Sequence, residues 1–70
     1  MNIEWTDGFR ISVGIHGSRE VVISANREGL LSLACQLKAL AEEMPGSHLH
    51  YDGHNALEDG SAEMIIEKVK

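Results

Sequence analysis

Hydrophobic positions recur along this chain with two periods, and the switch from one to the other marks out its elements. Phe9, Ile11, Val13 and Ile15 alternate with Arg10, Ser12, Gly14 and His16, the period of two that turns one face of a strand inward and the other to water. Gly17 and Ser18 supply a turn, and residues 20–25 form a second run rich in β-branched side chains, so the two runs predict an antiparallel hairpin. Val21, Ile23 and Ala25 are expected on its inner side. From Asn26 to Met44 the period lengthens. Leu30, Leu33, Ala34, Leu37, Leu40, Ala41 and Met44 follow three-and-four spacing, which places them on one face of an amphipathic helix. Asn26 can accept from the free amides of the first turn, and Glu28 sits at the positive end of the helix dipole. Gly29 is a cost at that position, and Pro45 with Gly46 ends the helix.

Alternation returns at residues 48–52, with Leu49 and Tyr51 on one face and His48, His50 and Asp52 on the other. This is a third strand. Residues 53–61 have the glycines, Asn and Asp of a loop, with one helical turn expected at 56–59. Residues 62–69 are a fourth strand whose centre, Met64 to Ile66, is apolar on both faces, as a central strand would be. Ahead of the hairpin, Asn2 to Thr6 reads as a short extra strand or a tail. Trp5 is expected against the sheet edge, and Asp7-Gly8 marks a turn. The order β-β-α-β-β over residues 1–70 predicts a single α+β domain. It is a two-layer sandwich with a four-stranded, mainly antiparallel sheet and one helix on one face. The other face would be open and would carry Ser12, His16, Val22, Ile65 and Val69. Dimerisation or partner docking is its expected use, unless the patch, broken by Arg10 and Glu67, is simply wet.

Length and charge narrow the function. A domain of 70 residues buries only about 60% of its unfolded surface, too little for an enclosed enzyme core. Of the formal charge of −5, residues 1–41 contribute nothing, with four acids and four bases, while residues 42–70 carry seven acids against Lys68 and Lys70. An acidic surface repels phosphate backbones, so nucleic acid is not an expected ligand, and a basic partner is the natural complement. Cys35 is the lone cysteine, so the fold rests on packing with no internal disulfide. The N-terminus lacks the pattern of a signal peptide, and no apolar stretch approaches the roughly 20 residues of a membrane span. A cytoplasmic protein is expected.

Candidate chemistry is sparse. In an extended strand His48 and His50 project on the same side about 7 Å apart, a spacing that could hold zinc with Asp52 or His54. The string loosely resembles the H-x-H-x-D-H motif of metallo-β-lactamases, but Gly53 splits Asp52 from His54, and the later ligands of that fold have no counterpart. A polar outer strand face is the alternative reading. The acid pairs Glu42-Glu43, Glu58-Asp59 and Glu63-Glu67 lack the desolvated cleft that acid-base catalysis requires, and their expected role is electrostatic. Cys35 lies beside the apolar stripe as a small hydrophobe. No phosphate-loop spacing is present, and no cofactor is expected.

Three strings together carry a family resemblance: Val21 to Leu30 (VVISANREGL), Gly46 to Asp52 (GSHLHYD) and Leu57 to Glu67 (LEDGSAEMIIE). Over residues 20–68 the chain resembles the immunity protein 32 family, small bacterial proteins of polymorphic toxin systems. The resemblance implies a stoichiometric inhibitor that binds and neutralises a cognate toxin, without catalysis. Loops on a rigid sheet commonly present binding groups, so the residues expected to meet that partner are Asp52, His54, Asn55, Glu58 and Asp59. Two other readings remain: a homodimeric structural or adaptor module using the open sheet face, and a metal-binding protein using His48 and His50.

Overall fold

The computed structural model describes every residue except Asn2. β1 (Ile11–His16) and β2 (Glu20–Ala25) form the expected hairpin, in register from Ile11 opposite Ala25 to His16 opposite Glu20. Asn26 then caps α1 (Arg27–Ala41). Its Oδ1 accepts from the Gly29 amide at 2.8 Å and from the Arg10 amide at 2.9 Å, while its Nδ2 donates to the Gly8 carbonyl at 2.9 Å. One side chain thus fixes both the helix start and the base of the hairpin. β3 (His48–Tyr51) and β4 (Met64–Glu67) pair antiparallel, with Leu49 opposite Ile66 and Tyr51 opposite Met64.

The architecture is α+β in the order β-β-α-β-β, but the strands form two two-stranded sheets where one continuous four-stranded sheet was expected. The cause lies in the connection between β3 and β4. It runs along the outer edge of β1, where Leu57 bridges Ile11 in parallel, the Glu58 amide donates to the Ile11 carbonyl, and the Ala62 amide donates to the Val13 carbonyl, each bond 2.8 Å long. The edge of β1 is therefore already satisfied by a loop. The turn in that loop comes earlier than expected, at residues 53–56, where the Asp52 carbonyl accepts from the Ala56 and Leu57 amides. β4 is shorter than residues 62–69 and is no central strand: among the described residues it pairs only with β3, and Ile65 is exposed.

The helix is turned from the face its leucines mark, of which Leu33 and Leu40 alone are buried. Gly29, Ser32, Leu33, Gln36 and Leu40 are buried, whereas Leu30, Ala34, Leu37, Ala41 and Met44 are exposed. The reason is the segment from Ile3 to Thr6, which is irregular and lies against the polar part of that face. Ser32 Oγ accepts from the Thr6 amide at 2.8 Å and donates to the Glu28 carbonyl, and Gln36 Nε2 donates to the Glu4 carbonyl at 2.8 Å. Polar side chains are buried here because backbone groups pair with them. The start of the expected tail, Asn2, lies outside the described residues. Gly29 is likewise no defect. A Cβ there would stand 2.6 Å from the Arg10 carbonyl oxygen and 2.9 Å from Ile11 Cγ1, so its absence lets helix and hairpin meet.

The helix ends at Ala41 rather than Met44. Lys68 closes it, since its Nζ donates to the Ala41 and Glu43 carbonyls at 2.6 Å each, placing a cation at the negative end of the dipole. Gly46 takes the positive φ of +96° that the return to β3 requires. The core consists of Ile11, Val13, Leu33, Leu40, Leu49, Tyr51 and Leu57. Trp5 flanks it, stacked on Phe9 at 4.3 Å and edge-on to Tyr51 at 6.3 Å. On the same side of the hairpin as Ile11 and Val13, however, Ile15, Val21 and Ile23 are exposed rather than inward, because the helix covers only the hairpin's base.

Candidate functional site

The connection from Asp52 to Ser61 is held by its own polar residues. Asp52 Oδ1 accepts from the His54 amide at 2.9 Å and the Asn55 amide at 3.1 Å, while Asn55 Oδ1 accepts from the Asp52 amide at 3.0 Å and Asn55 Nδ2 donates to the His50 carbonyl at 3.0 Å. This is a reciprocal Asx turn. Asp52, half-buried, and Asn55 therefore shape the loop, while His54, Glu58 and Asp59 are exposed on it. The backbone under the two acids is pinned as well: the Glu58 amide bonds to Ile11, the Ser61 amide to the Glu58 carbonyl, and Ser61 Oγ accepts from the Val13 amide at 3.2 Å.

Glu58 and Asp59, adjacent in sequence, open onto different depressions. Glu58 borders a shallow one with Arg10, Ser24 and Asn26. Asp59 borders another with Ser12, His16, Val22, Ser24 and Ser61, on the open face of the hairpin. The five residues expected to meet a partner thus divide into two that build the loop and three that stand out from it. Sequence reasoning placed all five together. It missed Leu57, whose burial anchors the loop and whose signal was a lone large apolar residue in a polar stretch.

His48 and His50 do share the outward face of β3, opposite Glu67 and Ile65, with ring centroids 4.8 Å apart at 72°. His48 Nδ1 lies 3.1 Å from the Gly46 carbonyl. Among the described residues no group of three or more His, Cys, Asp or Glu is arranged to hold a metal ion, and one carboxylate oxygen of Asp52, Oδ1, is engaged by two amides. Cys35, expected beside an inward apolar stripe, is exposed, with Sγ 3.7 Å from Glu4 Oε2. Tyr51 is the titratable group that the core perturbs: burial pushes its phenol pKa up from the ordinary value. It stays a neutral donor, 2.7 Å from Gln36 Oε1. No helix among the described residues is long and apolar enough to cross a membrane.

No curated protein and no solved structure matches the chain. The model of the immunity protein 32 family matches residues 20–69, from the start of β2 through α1, β3 and the loop to two residues past β4. The match spans most of the chain, and the protein belongs to the immunity protein 32 family.

Proposed function

We propose that this protein binds a cognate bacterial toxin in the cytoplasm of the cell that makes it, and neutralises it by stoichiometric contact without turnover. Membership of an immunity family supports a toxin-neutralising role in general. The observation that carries the finer reading is the loop: a pinned backbone that presents His54, Glu58 and Asp59 to solvent. Rigid presentation lowers the entropy lost on binding. Asp52 and Asn55 belong to the same surface as its scaffold. Seven acids against two lysines in residues 42–70 give this half a field that attracts a basic partner surface and raises the association rate.

Co-expression with the product of the neighbouring gene tests the proposal. The expected result is a single complex by size-exclusion chromatography with light scattering, together with restored growth of cells that make the neighbour. Separate elution with no rescue would overturn it.

A further inference from the structure

β2 carries an unfinished sheet edge whose geometry is set by one hydrogen bond at its end. The Asn26 amide donates to the Arg10 carbonyl at 3.1 Å, so Asn26 and the residues in step with it, Ser24, Val22 and Glu20, point their backbone groups toward β1. In an antiparallel ladder the intervening residues then point theirs away. β1 obeys the same alternation, because the carbonyls of Ile11 and Val13, opposite Ala25 and Ile23, are those that bond outward to Glu58 and Ala62. On β2 the outward groups are the N–H and C=O of Val21, Ile23 and Ala25. Among the described residues no strand pairs with this edge.

Side chains reinforce the exposure of the backbone. Val21 is 64% exposed, Ile23 46% and Ile15 66%, all on the side of the hairpin that faces the core farther down. Soluble proteins usually blunt such an edge with proline, a bulge, or an inward-pointing charge. Residues 20–25 are paired without interruption and contain no proline and no lysine.

We propose that the edge of β2 is the interface for a second copy of this chain, paired antiparallel about a two-fold axis at Ile23. That register exchanges both bonds between the two Ile23 residues and sets Val21 of each copy opposite Ala25 of the other, so all six outward groups on each strand find partners. Residues 21–25 carry no charge, so no like charges face one another within the paired stretch; just outside it Arg19 of one copy comes opposite Arg27 of the other, each with an acid, Glu20 or Glu28, next in sequence. The product is a four-stranded sheet with order β1-β2-β2-β1, in which Val21 and Ile23 of both copies form one apolar strip. The acidic loop lies beyond β1, at the far edge of each half, and stays accessible.

Light scattering on the full chain from 1 to 100 µM and a cysteine scan in a Cys35→Ser background test the interface. The expected species is a dimer. Val21→Lys with Ile23→Lys weakens it at least tenfold while circular dichroism stays unchanged. The backbone register has its own readout that needs no disruptive substitution. Ile23→Cys chains cross-link under mild oxidation, since paired Cα atoms about 5.5 Å apart are within disulfide range. Glu20→Cys chains do not, since that register separates them by about 20 Å. A monomer throughout the concentration range would overturn the proposal, and would turn the edge over to a strand of the toxin if the lysine pair also abolished toxin binding. A dimer indifferent to the lysines, or cross-linking equally well at residue 20, would overturn it in favour of the other sheet face. Toxin rescue plays no part in these readouts, so the interface stands or falls apart from the immunity function.

Discussion

The Tyr51 hydroxyl donates to Gln36 Oε1 at 2.7 Å inside the core, tying β3 to α1. Both side chains are almost wholly buried, and Gln36 spends its amide nitrogen on the Glu4 carbonyl, so three segments distant in sequence meet at one glutamine. Tyr51→Phe keeps the ring packing but leaves Gln36 Oε1 without a partner, a loss of about 1–3 kcal/mol. It also changes the alkaline limb. Burial raises the folded phenol pKa above the unfolded value of 10.0, so above pH 10 the unfolded chain releases a proton that the folded chain retains, and stability falls with rising pH. Below pH 10 this term is flat. Urea unfolding at several pH values should therefore show a decline above pH 10 in the parent chain that is shallower in Tyr51→Phe.

Gly29 tests how closely the helix approaches the hairpin. Propensity alone says that Gly29→Ala in a helix gains about 0.8–1.0 kcal/mol. The added methyl would sit 2.6 Å from the Arg10 carbonyl oxygen, a backbone atom held by the Asn26 amide, and overpacking of this kind costs roughly 1–3 kcal/mol. The clash should win. Thermal melts are expected to show Gly29→Ala destabilised, and an unchanged or raised midpoint would mean that the two backbones move apart freely.

The same helix shows how far its sequence could be read. Its start and its cap were visible, because Asn26 acts through local geometry, whereas its end comes at Ala41, three residues before the expected Met44. Its buried face was visible only in Leu33 and Leu40. Counting apolar spacing favours Leu30, Leu37 and Met44, but Ser32 and Gln36 are inside because amide and carbonyl groups from Thr6 and Glu4 meet them across about thirty residues of chain. Periodicity carries no record of such a partner. The split sheet is a comparable case: Asp52 and Asn55 could be read as turn formers, yet the pairing of Leu57 with Ile11 depends on where the loop falls in space. At the site, residue types indicated the loop, and only the folded chain divides its builders from its exposed groups.

Lys68 provides a test of the closing bonds between chain end and helix end. Its ammonium bonds to the Ala41 carbonyl, left free at the helix terminus, and to the Glu43 carbonyl just past it. Lys68→Met preserves the aliphatic stem and removes the charge and donors. The expected cost is about 0.5–1.5 kcal/mol, with hydrogen exchange rising first at the last turn of α1. Protection unchanged at Lys38 to Ala41 would show that solvent replaces the cap without loss.

Reversal of the acidic loop bears on function directly. Glu58 and Asp59 are exposed, and neither carboxylate takes part in the bonds that hold the loop, so Glu58→Lys with Asp59→Lys should leave the melting curve within a few degrees of the parent. Four units of charge change on the surface proposed to meet a basic partner, and the first effect should be on the association rate, lowered tenfold or more at low salt. Raising ionic strength should narrow the gap between variant and parent, since screened charges steer less. If the carboxylates instead bond directly to the toxin, their removal would speed dissociation, and surface plasmon resonance separates the two effects. Equal rates for parent and variant at every salt concentration would move the toxin-binding surface away from this loop.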